Sequence, residues 1–319
     1  MKIGLDIMGG DFAPQATVLG AIEAHKALSG DQKLVLIGDK EIALSILHEN
    51  NYSPDHFEFV HTTEVIGMGE HPTKAIVQKP DSSISVGFKL LKEGEIQAFS
   101  SAGNTGAMLV GSMFSVKAIP GISRPAMTTI IPKLQGGLGL LLDVGANADC
   151  KAENLFQFGV LGSLFAQYVY NIPNPRVALM NIGEEEEKGN LLCLAAYPLM
   201  KESALFNFIG NVEGRDMFNE SADVYVADGF TGNVILKMAE SFYVLGLKKG
   251  LKDEFFDRFN YEQYGGSPIL GVNAPVVVGH GISSPEAIKN MLLLSRDMVE
   301  SDLVTKIKNA FQSHLYIDE

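Results

Sequence analysis

Little in this chain points to a bound cofactor, a nucleic acid or a membrane span. Its 319 residues hold two cysteines, Cys150 and Cys193, without C-x-x-C spacing. That usage fits a reducing compartment and excludes a disulfide scaffold. Basic side chains are outnumbered 38 to 25, giving a formal net charge of −13, so a nucleic-acid backbone is not an expected partner. No apolar run approaches the roughly 18 residues that cross a bilayer. Met1-Lys2 leads straight into a strand pattern, with no charged and then hydrophobic leader. A cytoplasmic protein is the expectation. No Pro/Ser linker and no repeat at a fixed period marks a domain boundary, so residues 1–319 read as one unit in which any division into lobes cannot be placed.

The chemical motifs are equally sparse. Gly137-Leu-Gly139 precedes a strand and Gly103-Asn-Thr-Gly106 has the wrong spacing, so neither makes a G-x-G-x-x-G dinucleotide turn. A Walker lysine motif is absent, and no nucleotide cofactor is expected. There is no H-E-x-x-H, and the acidic run Glu184–Glu187 reads as a solvated loop rather than a magnesium site; no metal is expected. There is no G-x-S-x-G nucleophile elbow. Cys150 follows Asp149, whose carboxylate opposes thiolate formation, and reads as a buried structural thiol.

What is present is an alternation of short apolar runs with helix-type spacing. Strands are expected at Lys2–Ile7, Lys33–Ile37, Phe57–His61, Ile96–Phe99, Ala126–Ile131, Leu138–Leu142, Val177–Met180, Phe206–Ile209, Val224–Ala227 and Val276–Gly279. Helices are expected after Pro14, near 41–49, from Ser82 or Ser83 to Gly94, over 152–170 and, as one piece, over 285–311. This alternation predicts an α/β fold: a largely parallel sheet with helices on both faces.

The regularity lies at the strand ends. Nearly every strand finishes in Gly with Asp, Asn, Ser or His: Asp6-Ile-Met-Gly-Gly-Asp11, Ser100-Ser-Ala-Gly-Asn-Thr-Gly106, Asp143-Val-Gly-Ala-Asn147, Asn181-Ile-Gly-Glu184, Asp228-Gly-Phe-Thr-Gly-Asn233 and His280-Gly281. Ordinary turn chemistry accounts for part of this. In open parallel sheets, ligands bind outside the carboxyl ends of the strands, which predicts one wide cleft floored by these turns. The turn from Ser100 to Ala107 joins a strand to a helix. It reads either as a well-capped turn or as a cradle for a phosphate or an oxyanion at a helix N-terminus. His280, between two glycines, is poorly shielded and reads as functional. Lys79, Lys188 and Lys237 are the lysines nearest polar turns.

Taken together, these motifs, with Lys79-Pro-Asp-Ser-Ser83, Arg124-Pro-Ala126, Lys188-Gly-Asn190, Phe208-Ile-Gly-Asn-Val-Glu-Gly-Arg215 and Tyr264-Gly-Gly266, resemble the phosphate acyltransferases of bacterial phospholipid synthesis. The resemblance runs in order over essentially the whole chain. It implies a homodimeric three-layer α/β/α sandwich, similar to isopropylmalate dehydrogenases and phosphotransacetylases. It also implies transfer of a long-chain acyl group from acyl-(acyl carrier protein) to inorganic phosphate, the acyl phosphate then feeding a glycerol-3-phosphate acyltransferase. A thioester is already activated, so phosphate can attack directly, with orientation contributing about 7–11 kcal/mol and each oxyanion donor about 2.7–4 kcal/mol.

In that reading Asn104, Asn233 and His280 lie near the reacting centre, Lys188 supplies positive charge, and Asp228 orients His280 or Lys237. Asp6, Gly9, Gly10, Ser100, Ser101, Gly103, Thr105, Gly106, Asn147, Gly183, Gly229 and Lys237 complete the expected phosphate and substrate site. Two alternatives stand beside it: an inert acyl-phosphate or acyl-carrier binding protein, and a phosphotransacetylase using coenzyme A thioesters. One segment departs from the family. Between Glu240 and Tyr264 the apolar hairpin linked to membrane attachment is shortened to Phe242–Lys252 and its surroundings. Lys248, Lys249 and Lys252 make this the expected place for a weak peripheral contact with the inner face of the membrane, or for the acidic carrier protein.

Overall fold

The structure, a computed structural model, describes residues 1–315. Its internal contacts gather into two compact units. The first comprises Met1–Ala118 and Tyr261–Glu300; the second comprises Ile119–Asn260 and the chain from Ser301 onward. Strands are numbered in chain order. The first unit contributes β1 (Lys2–Asp6), β2 (Lys33–Gly38), β3 (Phe57–His61) and β4 (Ala98–Ser101). The second contributes β5 (Ala126–Pro132), β6 (Leu138–Leu142), β7 (Arg176–Met180), β8 (Asn207–Val212) and β9 (Val224–Val226). The chain then returns to the first with β10 (Ser267–Leu270) and β11 (Val276–Val278).

In the first unit the strand order is β3-β2-β1-β4-β11-β10. All neighbours are parallel except the antiparallel pair β10–β11. The inner strands are covered on both faces, and their sequences are correspondingly apolar throughout: Leu34-Val-Leu-Ile37 is buried at every position. Helices flank this sheet where capping residues allow. Ser82 caps Ser83–Glu93 by accepting from Ser85 N–H, and Gly94 closes that helix in the left-handed region at φ 78°. The helices Gln15–Ala27 and Pro285–Glu300 meet at Gly20, where a Cβ would come within 2.5 Å of Ile288.

The second unit's order is β5-β6-β9-β7-β8, with β5–β6 an antiparallel hairpin and the others parallel. Its central helix, Ala152–Tyr168, is apolar on most sides and largely buried. At one end of the sheet Lys133 and Asp223, both buried, form an ion cluster with half-exposed Arg176. Asp223 accepts from Lys133 Nζ at 2.7 Å and from Arg176 Nε at 3.0 Å. Burial pushes the Asp223 carboxyl up, but its two cations outweigh that and hold it at about 2.

The mostly parallel α/β architecture is the one the sequence pattern predicts. Three local readings need correction. Strand β4 runs on through Ser100 and Ser101, because both pair in register within the sheet: Leu5 opposite Ser100, and Val278 opposite Ser101. The expected single helix over 285–311 is two, Pro285–Glu300 and Leu303–Leu315, broken where Asp302 takes a left-handed φ of 52°. The helices Pro72–Gln78 and Leu191–Lys201 lie outside the expected set; the second carries Pro198 inside it, which hides its signal.

Candidate active site

In the first unit the strand-end turns are organised around one buried carboxylate. Asp6 closes β1 and is 1% exposed. Its Oδ1 accepts from Met8 N–H at 2.9 Å, and its Oδ2 accepts from Ser101 Oγ, at the end of β4, at 2.6 Å. Ser101 Oγ in turn accepts from Gly103 N–H at 2.9 Å. Burial raises the Asp6 carboxyl above the ordinary range, opposed by hydrogen bonds from Ser101, Ser83, Met8 and Gly9. Gly9 packs directly on this linkage: a Cβ there would collide with Asp6 Oδ2 and lie 2.7 Å from Gly103 N. A third strand end joins through Gly279 N–H to Ser101 O at 2.8 Å and Asp11 N–H to Gly281 O at 2.7 Å. Gly10, at φ 110°, supplies the left-handed turn that this approach requires.

His280 follows β11 and is half-buried. Its Nδ1 accepts from Ile282 N–H at 3.4 Å. Its carbonyl accepts from Ser283 N–H and Oγ, fixing the turn beneath the ring.

Asn104 works here as a positioning residue. It caps the helix Thr105–Gly111, with Oδ1 accepting from Ala107 N–H at 3.0 Å. Its Nδ2 donates to the carbonyls of Gly67, Met68 and Glu70, at 3.0, 3.1 and 3.0 Å. The amide is therefore committed to holding the 67–70 loop, not aimed at a reacting oxygen. Glu70 is braced by Lys79 and by Gly67 N–H. Ser100 is also spoken for: its hydroxyl is fully buried and pairs with Ser295 Oγ at 2.7 Å. Thr105 is exposed and Gly106 half-buried, at the first turn of that helix.

The second unit repeats the device with Asp143, which follows β6 and is fully buried. Its Oδ1 accepts from Met127 N–H at 2.9 Å and Ala146 N–H at 3.2 Å. Its Oδ2 accepts from the backbone and side chain of Asn147, at 2.6 and 3.0 Å. Burial again pushes this carboxyl up. Asn147 Nδ2 also donates to Pro125 O, so the Asn147 side chain is structural. Gly229 N–H donates to Asn147 O at 2.8 Å, and a Cβ on Gly229 would come within 2.5 Å of that oxygen. The helix Gly229–Lys249 is thus seated against the Asp143 turn.

The remaining sequence-predicted residues sort clearly. Asp228 caps that helix, accepting from Thr231 N–H and Oγ1, rather than orienting His280 or Lys237. Lys237 pairs with Glu240 one turn on. Asn233 Nδ2 donates to Val144 O at 3.0 Å. Lys188 is exposed, with its stem packed on Gly183, at the end of the exposed run Glu184–Glu187. Phe242 packs edge-on against Phe218 and Phe259, while Leu245 and Leu247 stay exposed beside the lysines. Burial lifts the Cys150 thiol to about 11, which keeps it protonated and poorly nucleophilic. Sequence reasoning passed over Asp143 as a site organiser. Its signal was available, since Asp143 ends a strand before a glycine turn as Asp6 does.

A family profile described as fatty acid synthesis protein matches residues 1–255. The chain is 44% identical to the phosphate acyltransferase of Dictyoglomus turgidum, over 96% of each. It is 45% identical to that of Heliobacterium modesticaldum, over 97% of each, and 43% identical to that of Desulforamulus reducens, over 100% of each. In fold it is similar to a phosphotransacetylase from Streptococcus pyogenes, with a TM-score of 0.68 at 16% identity over 94% of each chain. A branched-chain phosphotransacylase from Enterococcus faecalis superposes with a TM-score of 0.60, at 16% identity over 94% of this chain and 99% of that one. Identity of this order along the whole chain makes it a member of the phosphate acyltransferase family.

Proposed function

We propose that this protein transfers a long-chain fatty acyl group from acyl-(acyl carrier protein) to inorganic phosphate, by direct attack on the thioester. The observation that carries the direct route is the state of the candidate nucleophiles. Ser100 and Ser101 are sealed in hydrogen bonds to Ser295 and Asp6, and the Cys150 thiol is pushed up to about 11. An oxygen of hydrogen phosphate forms the new C–O bond, the C–S bond breaks, and the sulfur takes up the proton that the phosphate gives up. A thiol of ordinary pKa near 8.5 leaves without a dedicated acid.

In the first unit, His280 offers its ring to the developing oxyanion, and Thr105 with the N–H groups of Thr105 and Gly106 offers donors to phosphate. Asp6, Gly9, Gly10 and Ser101 hold those turns, and Asn104 holds the neighbouring loop. In the second unit, exposed Lys188 offers positive charge and Asn233 an amide, while Asn147, Asp228 and Gly229 shape the turn. A homodimer acting in the cytoplasm, with acyl phosphate passed to a glycerol-3-phosphate acyltransferase, completes the proposal.

The test is thiol release by the purified protein from palmitoyl-carrier, with and without phosphate. Phosphate-dependent release is expected, and mass spectrometry of protein quenched without phosphate should show an unmodified chain. Release only from palmitoyl-coenzyme A would move the donor to that thioester. Absence of release from any donor would leave a binding protein.

A further inference from the structure

The first unit carries a groove of about 610 Å³ that none of the roles above uses. Its walls come from the segment that follows the Asp6–Asp11 turn and from the segment that follows His280. Six lining residues are apolar: Phe12, Ala13, Ala16, Leu19, Ile282 and Pro285. Among the described residues its one ionisable lining group is Glu262. Phe12 and Ile282, in adjoining segments, are 56% and 45% exposed. The volume falls in the range of about 300–1,000 Å³ typical of small-molecule sites.

Two features say what the groove takes. Its lining has no cation and is mostly apolar, so phosphate, nucleotides and acidic peptides find no counter-charge there. It also adjoins the strand-end turns: Asp11 N–H to Gly281 O, at 2.7 Å, links the residue beside Phe12 to the residue beside Ile282. The wall residue Ile282 stands two positions after His280. Resting on the acyl-transfer reading, we propose that this groove binds the alkyl chain of the acyl substrate, with Phe12 and Ile282 as its two walls. Chain-length preference then resides in the first unit, outside the groups that handle phosphate.

The chain contains no tryptophan, so a single introduced indole reports its surroundings without background. Ile282→Trp and Phe12→Trp place one at each wall, both at exposed positions that tolerate the ring. Tyr197→Trp is the control, in a groove of about 540 Å³ in the second unit lined by Glu186, Lys201 and Glu202. The probe is a 16-carbon alkylphosphonate brominated along its chain, with an 8-carbon analogue for comparison. Saturable quenching at 282 and 12, tighter for the longer chain and absent at 197, is the expected result. In parallel, the Phe12→Ala/Ile282→Ala variant should lower the preference for palmitoyl- over octanoyl-carrier in kcat/KM by about tenfold. No quenching at 282 or 12, or equal quenching at 197, overturns the groove; if the wild-type protein still releases thiol with phosphate, acyl transfer survives that loss. Quenching as expected, with no thiol release from any donor, instead sinks the acyl-transfer reading and leaves an alkyl-chain site.

Discussion

Asp6 and Asp143 do the same job by different geometry. Each sits buried at the end of a parallel strand, each has its carboxyl pushed up by burial, and each has glycine packed close by. Asp143 spends three of its four hydrogen bonds on residues three and four positions ahead, Ala146 and Asn147, so it stiffens one turn from within. Asp6 reaches Ser101, 95 residues away in sequence, and through it Gly103, so it ties two turns to each other. A locally closed turn is a rigid seat for a helix. The Asp143 linkage thus stays within one turn, whereas the Asp6 linkage joins two.

The strongest way to break this contrast is to remove the carboxylates. Asp143→Ala orphans four buried donors and should cost about 3–5 kcal/mol, read by urea unfolding, with Asp143→Asn recovering only part. Asp6→Ala should cost about half as much while abolishing thiol release; equal losses of stability would erase the distinction. Next in size is His280→Ala, expected to lower kcat about 10²-fold with the unfolding midpoint unchanged, as befits a donor to the transition state. A wild-type kcat would remove the ring from the chemistry.

The strand starts offer a second contrast. The second unit buries Lys133 and Asp223, with Arg176 half-exposed beside them, whereas the first has the exposed pair Lys2–Glu58. The Asp223 pKa is depressed from 3.8 to about 2, so its stabilisation is present in full above pH 4. It is lost as pH falls through 2, and is worth about 2 kcal/mol. Acid unfolding between pH 4 and 2 should therefore flatten in Asp223→Asn relative to the wild type; parallel curves would deny the cluster that role. The smallest effect is expected from Asn104→Ala, about 1–2 kcal/mol from the lost cap and loop anchor. Faster hydrogen exchange confined to 67–70 and the helix start would mark its structural role, and a fall in kcat with exchange unchanged would return it to direct chemistry.

The sequence discloses the architecture well, because parallel strands buried on both faces are apolar without interruption, as Leu34–Ile37 is. It also discloses that the strand ends matter. What it hides is which polar group answers which. Ser100 and Asn104 look like ligand donors in isolation, and only the fold supplies Ser295 and the carbonyls of Gly67, Met68 and Glu70 that occupy them. The break at Asp302 is hidden for a related reason: neither glycine nor proline marks it, and a non-glycine residue bears the left-handed turn. Asp143 was legible by its likeness to Asp6, but the four donors around it were not.

The first unit is assembled from two stretches of chain with the second unit's strands inserted between them, and β11 lies inside its sheet, between β4 and β10. During synthesis β4 emerges about 165 residues before β10, a delay of roughly 8–30 s at ordinary elongation rates. Through that interval the edge of β4 that will receive β11 has no partner from its own sheet, while β5 through β9 are already made. The ribosome therefore finishes the supporting sheet before the one that carries His280. A chain released after Asn260, which lacks only the helix from Leu303 of the second unit, should be cut more slowly over 119–260 than within 1–118. The reverse pattern would mean that β1–β4 close without β11. The last strand to arrive brings the His280 ring with it, so that ring takes its place only as the first unit's sheet closes.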